Sequence, residues 1–587
     1  MSENVCQPHD HSKFHWIDYT VLATMVVVSC GIGTFYAYFS SKQKTSNDFL
    51  LGGSDMATMP MAMSLAAGFI TAIELLGNPA EMYIYGSQFW LICISFVLVI
   101  PVTSYLYLPV YMKLRLTSCY EYLEMRFNKK IRVLAAGLYV IQMVLYTSVA
   151  VYAPALALSH VTGVNTYVAV TFVYVVCIFY SSQGGMKAVI MTDTFQAAVL
   201  LGSIIAVLAI GVVYSEGLTV IWKRNVMSNR IEPLVFDPDP TIRHSVWSVV
   251  VGGTVYWATM FCASQASIQK YLSVESILQV RRALWVSCVS LIVVFSMNFC
   301  IGMIMYAVYY DCDPLISKTI TASDQLLPLY VMHSLGHLKG IPGLFVAGIF
   351  AASLGTVASA MNSLAAVTIK DFLNCLCNIT IPEQKGAMAS KWLSAVFGLI
   401  SFGLIFVVER LGSILQVALS LNGMAGGVVL GLFSLGMFFP WANSRGALIG
   451  ATTSLAFVVW IGLSNQIAIS NNLQTAIPKV RSAQGCVCNI TTEETNELFS
   501  ENEVFSLFRI SYLWYSSIGF SATIVLGMVV SLLSGPQDPG RVHPDLISPP
   551  ILAFFKTLPN PVKESLNLPL ESKENVENVI KRNEDNL

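Results

Sequence analysis

The chain alternates long apolar runs with short polar segments. Thirteen of the runs are each about long enough for a helix to cross roughly 30 Å of hydrocarbon. Numbered spans one to thirteen, they cover residues 17–39, 57–84, 87–110, 132–160, 165–182, 188–214, 246–266, 283–309, 341–370, 391–409, 411–438, 445–465 and 510–535. This pattern predicts an all-α polytopic membrane protein.

Both ends of the chain are polar. Residues 1–16 lack the basic n-region and the small-residue cleavage site of a signal peptide, so we expect this segment to be retained as an extracellular N-terminus. Residues 536–587 are rich in Pro, Glu, Asn and Lys, a composition that buries too little apolar surface to offset its ordering entropy. We therefore predict a disordered cytoplasmic tail there. Its terminal Asp585-Asn586-Leu587 is a weak candidate ligand for a partner domain.

Lysine and arginine positions predict the orientation of the spans. An odd number of spans places the two termini on opposite sides of the membrane. With the N-terminus outside, the inner loops hold about 16 Lys and Arg and the tail about 6, whereas the outer segments hold about 11. This bias favours an extracellular N-terminus and a cytoplasmic C-terminus.

Composition excludes several classes of function. The 587 residues are 55% hydrophobic and 11% charged, which argues against a soluble enzyme. The formal net charge of -1 leaves no basic field for binding nucleic acid. The thirteen cysteines mostly stand singly in apolar runs, which argues against a disulfide scaffold or a zinc framework. No nucleophile–base pair or metal-ligand spacing lies inside the spans, so we expect neither an enzyme nor a metal site beyond one for a coupling cation.

The predicted outer loop at 466–509 carries candidate modification sites. Asn489 begins an Asn-Ile-Thr glycosylation sequon, which we predict is used. The second such triplet, at Asn378, falls on the inner side and is predicted to be unused. Two cysteines, Cys486 and Cys488, share the outer loop with the first sequon. The sequence is consistent with two alternatives. One of these cysteines pairs with Cys312 or Cys6, or both remain free thiols.

Span two has the most polar and irregular sequence of the apolar runs. It combines Gly68, Gly77 and Pro79 with a carboxylate at Glu74. A helix interrupted at 67–71 would free backbone carbonyls to bind a small cation. A kinked and closely packed helix is the structural alternative.

Span nine carries a second cluster of small and hydroxyl residues. Ser353, Thr356, Ser359 and Ser363 include i, i+3 and i+4 spacings, so several of them share a helix face. Their oxygens would suit Na+, a hard cation that prefers oxygen ligands. The alternative is that the hydroxyls bond back to carbonyls in their own helix.

Four strings resemble the sodium/solute symporter family. They are Q-G-G-M-K-A-V-I-M-T-D from Gln183, N-S-L-A-A-V-T-I-K-D-F from Asn362, L-G-N-P-A-E-M-Y-I-Y-G from Leu76 and Y-A-P-A-L-A-L from Tyr152. The last two are most similar to the subgroup of sodium-coupled monocarboxylate, multivitamin and iodide transporters. The resemblance implies a LeuT-type 5+5 inverted-repeat core with broken helices at 57–438, split into 57–214 and 246–438. Peripheral helices would then lie at 17–39 and 445–535.

The resemblance also implies positions for the sites. Sodium would bind the carbonyls of Ala67, Ile70 and Ala352 and hydroxyls at 355 and 356. Here the chain departs from the family, because Gly355 has no hydroxyl; Ser359 one turn on, or a water, is the candidate replacement. A second cation region would comprise Tyr146, Asp193 and Gln196. The substrate cavity would be lined by Phe69, Glu74, Trp257, Phe261 and Gln265.

The resemblance therefore implies a sodium-coupled symporter that imports a small organic anion, monocarboxylate or vitamin-like, across the plasma membrane by alternating access. Na+ would be the coupling ion, and the partners would be the small-molecule substrate and membrane lipid, without nucleic acid. Glu74 is a second departure, because a bare carboxylate opposes anion binding. It therefore leaves open a proton-coupled or facilitative carrier that uses Glu74. The missing hydroxyl at Gly355 leaves open a ligand sensor without transport.

Overall fold

The structure is a computed structural model that describes residues 14–39, 50–183 without 51 and 55, 185–408 without 380, 413–470, 477–486 and 505–568. All regular structure in these residues is helical. Helices at the predicted spans are Trp16–Phe39, Thr58–Phe69 with Ala72–Tyr85, Ser87–Leu114, Lys129–Thr162, Thr166–Gln183, Gly185–Tyr214, Trp247–Cys262 with Gln265–Leu272, Ile277–Val308, Ile341–Leu376, Glu383–Val408, Ile414–Phe438, Ser444–Ser470 and Trp514–Leu533.

Ten of the described helices are long and apolar enough to cross a membrane, or eleven if the two halves of span two count as one. Shorter apolar helices stand at spans five and seven, Thr166–Phe179 and Trp247–Cys262. The prediction of an all-α polytopic membrane protein is therefore confirmed. The count of thirteen spans remains a prediction.

Span two is broken between its two helices, which bend by 56°. Ile70 and Thr71 adopt extended backbone conformations at the break. The second helix then starts with a capping box: the Thr71 hydroxyl accepts from the backbone N–H of Ile73 at 3.1 Å, and Glu74 accepts from the Thr71 N–H at 2.8 Å. A new helix start, rather than a simple kink, therefore ends the first half of the span.

Span seven is also interrupted, although its second helix has no side-chain cap. Its first helix ends at Cys262 and its second begins at Gln265, with Ser264 in an extended conformation between them. Spans two and seven are the first helices of the two predicted repeats. Both repeats therefore begin with a discontinuous helix.

The core packs around spans six and nine. Span six lies along span nine and along the first helix of span two, and span four lies against spans nine and eleven. Every residue of span nine from Phe345 to Val367 is buried. Its small side chains let these neighbours approach closely from several sides. The region where span two breaks is thereby held against the middle of span nine.

Spans eleven, twelve and thirteen form a packed group beside this core. Glycine is required where spans twelve and thirteen meet, because a Cβ at Gly450 in span twelve would lie 2.7 Å from the backbone nitrogen of Gly527 in span thirteen. The two helix backbones therefore touch almost directly.

The segment after span thirteen is ordered where the sequence predicted disorder. Residues 536–568 contain the short helices Pro549–Thr557 and Asn560–Ser565, and they pack on the end of the bundle that carries the basic loop before span four. Lys113 pairs with Asp545 at 2.5 Å, and the Ser548 N–H donates to the Met437 carbonyl at 3.1 Å. The average composition of the tail hides apolar residues that are individually buried, namely Val542, Leu546, Ile547 and Phe555. The predicted disorder is thus wrong over 536–568, whereas 569–587 lie outside the described residues.

Residues 477–486, here called the outer strap, cross the far end of span two. The strap is joined to the loop after span eight by a disulfide between Cys486 and Cys312, one of the pairings left open by the sequence. The Lys479 N–H donates to the Ile84 carbonyl at 2.8 Å, and the Gly485 N–H donates to the Asp311 carbonyl at 2.9 Å. Cys6, Cys488 and the sequon at Asn489 lie outside the described residues.

Candidate ion and substrate site

The break in span two faces span nine through Thr356. Its hydroxyl donates to the Ala352 carbonyl in its own helix at 3.2 Å and lies 3.5 Å from the Gly68 carbonyl of span two. The back-bonded alternative for this hydroxyl is thus observed. The same oxygen also bridges the two helices that the predicted sodium site would join.

The other predicted sodium ligands are buried in the same region. Ala67, Ile70 and Ala352 are each 5% exposed or less. Because the first helix of span two ends at Phe69 and the Thr71 N–H donates to Glu74, the Ala67 carbonyl lacks its usual i+4 helical partner. Ser359 is buried, and its hydroxyl has no hydrogen-bond partner among the described residues.

Ser353 and Ser363, the remaining hydroxyls of the span nine cluster, point to span four instead. Ser353 donates to the Ala150 carbonyl at 2.6 Å, and Ser363 lies 2.6 Å from the Tyr139 hydroxyl. Only part of the cluster therefore faces the break in span two.

Gly355 is surrounded by the oxygens of span six. A Cβ at this position would lie 2.7 Å from Oδ1 of Asp193 and 3.1 Å from Oε1 of Gln196. Neither oxygen has a hydrogen-bond donor among the described residues, and both side chains are buried. The place of the missing hydroxyl is therefore taken by a carboxylate oxygen and an amide oxygen from another helix.

The structure brings together two of the three residues predicted for a second cation region. Asp193 and Gln196 converge at Gly355. Tyr146 lines a cavity on the span four side, together with Thr356 and Ser359.

An aromatic cluster stands beside the ion region. The ring of Phe69 lies 4.3 Å from that of Phe261 and 5.7 Å from that of Trp257, centroid to centroid. These three predicted substrate-cavity residues are brought together, and all are buried.

The cluster separates two cavities. The first, here called the inner cavity because it lies toward the predicted cytoplasmic side, is lined by Leu65, Gly68, Phe69, Met143, Tyr146, Met260, Ser264, Ala266, Ser267, Lys270, Thr356, Ser359 and Ala360. The second, here called the outer cavity because it lies toward the predicted extracellular side, is lined by Glu74, Asn78, Phe89, Ile92, Tyr256, Trp257, Phe295, Leu415, Leu419 and Leu513. Phe69 belongs to the first set and Trp257 to the second, so their contact lies at the boundary.

Glu74 and Gln265, the other two residues predicted for the substrate cavity, are both held by hydrogen bonds. Glu74 lines the outer cavity, and its Oε2 accepts hydrogen bonds from both the N–H and the hydroxyl of Thr71. It therefore caps the second helix of span two, at the end where the helix dipole favours a negative charge. The Gln265 amide accepts from the Cys119 N–H at 2.8 Å and donates to the Thr117 carbonyl at 2.8 Å. Because both of its groups are engaged, Gln265 ties span seven to a loop and lines neither cavity.

Two charged features escaped the sequence reasoning. The Lys270 ammonium lies 3.2 Å from Oδ2 of Asp193, inside the ion region. Arg243 pairs with Glu81 of span two at 2.5 Å, donates to Gln416 at 2.9 Å, and lies 4.2 Å from the Tyr85 ring. Glu81, a carboxylate within a predicted span, was a usable signal for the second feature.

Comparisons with known proteins agree with this architecture. The model of the sodium:solute symporter family matches residues 49–453. Sodium-coupled monocarboxylate transporter 1 of Xenopus laevis is 38% identical over 574 residues, covering 95% of this chain and 92% of the relative. Sodium-coupled monocarboxylate transporter 2 of Mus musculus is 39% identical, covering 92% and 87%. A putative sodium-dependent multivitamin transporter of Drosophila melanogaster is also 39% identical, covering 88% and 86%.

Solved structures share the fold. A Na+-coupled sialic acid symporter in a substrate-bound, outward-open state superposes with a TM-score of 0.71 at 23% identity, covering 89% of this chain and 99% of that one. A nucleobase-cation-symport-1 family transporter in a closed conformation gives 0.52 at 11% identity, covering 93% and 99%.

Proposed function

The chain belongs to the sodium:solute symporter family, and from this premise we propose that it imports a small organic anion, monocarboxylate or vitamin-like, across the plasma membrane. It is a sodium-coupled transporter and not an enzyme, and Na+ is its coupling ion. In this proposal the N-terminus is extracellular, the C-terminus is cytoplasmic, Asn489 is glycosylated, and membrane lipid surrounds the bundle.

The contact of Thr356 with both Gly68 and Ala352 is the observation that carries the proposed sodium site. An ion held by the carbonyls of Ala67, Ile70 and Ala352 and by the Thr356 hydroxyl would join the broken span two to span nine. Because these two helices belong to different repeats, such an ion would favour one arrangement of the repeats over the other.

The lining of the inner cavity supports an anionic substrate. Its walls combine apolar side chains with the hydroxyls of Ser264, Ser267, Thr356 and Ser359 and with the Lys270 ammonium, which is paired with Asp193. Glu74 lines the outer cavity instead, and its carboxylate caps the second helix of span two. An anion in the inner cavity would thus avoid direct contact with the Glu74 carboxylate, which answers the objection raised by that residue.

The proposed cycle is alternating access. Na+ binds from outside, the substrate follows, and the two repeats rock to release both inward. At about -60 mV and a tenfold Na+ gradient, each ion supplies roughly 2.8 kcal/mol. One ion then supports about hundredfold accumulation of a neutral solute, and two support about ten-thousandfold. An anion accumulates less, because its own charge opposes entry.

Uptake by expressing cells tests the proposal. The labelled panel is lactate, pyruvate, nicotinate, biotin, pantothenate and iodide, with external Na+ present or replaced by a large organic cation. We expect concentrative, Na+-dependent uptake of at least one organic anion. Surface-expressed protein with no Na+-dependent uptake of any member would contradict the proposed substrate class.

Glu74 separates the proposal from a proton-coupled carrier. Glu74→Gln keeps an acceptor for the Thr71 cap, and we expect the pH dependence of uptake to stay unchanged. Loss of that dependence in Glu74→Gln would favour proton coupling through this carboxyl. Glu232→Gln, a solvent-accessible carboxyl paired with Lys479, is the matched control.

A further inference from the structure

Lys270 places a buried ammonium inside the proposed ion site. It stands on the second helix of span seven and is 2% exposed. Its Nζ donates to the Ser64 carbonyl of span two at 2.7 Å and to Oδ2 of Asp193 in span six at 3.2 Å. A Cβ at Gly68 would lie 2.8 Å from this Nζ, so glycine there makes room for the ammonium. Three spans thus meet at one fixed positive charge.

The Asp193 carboxylate has two sides with different surroundings. Oδ2 accepts from the Ser64 hydroxyl at 2.6 Å and from Lys270. Oδ1 faces the position that a side chain at 355 would fill, next to the unpartnered Oε1 of Gln196. Buried oxygens without a donor are costly unless a cation or a donor joins them. One side of the carboxylate is therefore engaged by an ammonium, while the other remains available to a cation.

We propose that Lys270 and the coupling Na+ share the Asp193 carboxylate, and that Lys270 thereby sets how tightly the protein holds Na+. This inference rests on the sodium site proposed above and adds Oδ1 of Asp193 to it at the position of the missing Gly355 hydroxyl. Lys270 is a positioning and affinity-setting residue in this scheme. It contacts Asp193 and need not contact the ion.

Two cations beside one buried carboxylate repel each other. The resident ammonium therefore lowers the affinity of the site for Na+, and it compensates the carboxylate charge once the ion leaves. Both effects favour release of the ion over its retention. A purely structural Lys270 would instead change the stability of the fold and leave the affinity for Na+ unaltered.

Purified full-length protein in detergent provides the test. The unfolding temperature is measured against NaCl concentration, with choline chloride holding the ionic strength constant. In Lys270→Met we expect the half-saturating Na+ concentration to fall about tenfold, because the like charge is gone. In Lys270→Arg, which keeps the charge, it should stay within about twofold of wild type. Uptake into proteoliposomes should show the same shift in half-saturation.

Lys270→Gln is a second neutral variant, which keeps the test decisive if Lys270→Met does not fold. It keeps a donor for Ser64 and Asp193 while removing the charge, and the same tenfold fall is expected. An unchanged or raised half-saturating Na+ concentration in both neutral variants would overturn the role of Lys270. A wild-type protein that Na+ does not stabilise would refute the proposed sodium site itself. The two failures are thus distinguishable.

Discussion

At the scale of single residues, Gly355 lacks the hydroxyl that the family resemblance expects, and side chains of span six bring oxygens to its place. Asp193 and Gln196 approach Gly355 so closely that no side chain fits without displacing them. The glycine is therefore a means of admitting a carboxylate oxygen to the region where the family resemblance expects a hydroxyl. This exchange puts a full negative charge, rather than a dipole, beside the proposed ion.

Gly355→Ala tests this compensation. The added methyl group would lie 2.7 Å from Oδ1 of Asp193, so the carboxylate has to move. We expect the half-saturating Na+ concentration for uptake to rise about tenfold, equivalent to about 1.4 kcal/mol. Gly202→Ala in span six is the control, since nothing lies within 4 Å of its added carbon. Equal Na+ dependence in both variants would contradict the prediction.

Asp324, in the segment between spans eight and nine, carries a pH dependence of stability. Burial raises the pKa of this carboxyl from 3.8 to about 6, although it accepts the Ile414 N–H at 3.0 Å. Because the folded chain holds the proton more tightly, the stabilising contribution is present at low pH and is lost as pH rises through about 6. We expect Asp324→Asn to raise the melting temperature by about 2 °C at pH 8 and by less at pH 5. A gain equal at both values would contradict this assignment.

The sequence predicted which polar residues lie near the middle of span nine better than it predicted the hydrogen-bond partners of the candidate residues. Asp193, Gln196, Thr356 and Ser359 were named, and the structure places them around the same part of span nine. The direction of a side chain depends on packing between distant segments, which one sequence does not contain. Gln265 was therefore assigned to the substrate cavity although both its amide groups are bound to a loop.

At the scale of helices, the break in span two is the capped N-terminus of a second helix and not a locally unfolded segment. Thr71 and Glu74 together satisfy backbone groups that the interruption exposes, in the middle of an apolar bundle where water is scarce. The cap therefore allows the carbonyls of the preceding turn to remain available without leaving the following N–H groups unsatisfied.

Thr71→Val measures the worth of this cap. The change removes the hydroxyl that accepts from Ile73 and donates to Glu74, and we expect a loss of about 1–2 kcal/mol of stability. Thr71→Ser retains the hydroxyl and should remain near wild type. Thermal unfolding in detergent reports both. Equal stability of the two variants would show that the hydroxyl does not stabilise the break.

Apolar runs predicted helices at the correct places because the bilayer imposes their length. Glycine, proline and a carboxylate within one run left open either an interruption at 67–71 or a kinked helix, and in the structure the helix ends at Phe69. Average composition failed for 536–568, since a few buried apolar residues are enough to dock a polar segment on an existing surface. Whether a helix contacts lipid or protein on each side likewise depends on neighbours that a single run does not reveal.

At the scale of the whole molecule, the outer strap and the Arg243–Glu81 pair hold the far end of span two against other elements. Arg230 extends this network, since it donates to the Tyr83 carbonyl at 2.7 Å and to the Val480 carbonyl of the strap at 3.1 Å. The half of span two beyond the break is thus attached to loops in addition to packing on span eight, while the half before it packs on spans six and eight. The arrangement of repeats came from the family resemblance, because periodicity alone does not order helices in space.

Cys312→Ser tests the contribution of the disulfide to this attachment. Loss of the cross-link is expected to lower stability by about 2–4 kcal/mol. A reductant should lower the melting temperature of wild type to that of the variant and leave the variant unchanged. Cys300→Ser, which removes an exposed free cysteine, is the control. A reductant effect of equal size in wild type and Cys312→Ser would place the sensitive bond elsewhere.

The same disulfide also constrains the order of biosynthesis. Its two cysteines are 174 residues apart, and spans nine to twelve lie between them. The bond can close only after those spans have left the ribosome, long after span two has entered the membrane. The earliest broken helix is therefore secured by one of the last events of assembly. A chain truncated before Cys486 would lack the disulfide that holds the outer strap over the far end of span two. The disulfide is therefore a covalent feature that distinguishes finished from unfinished copies.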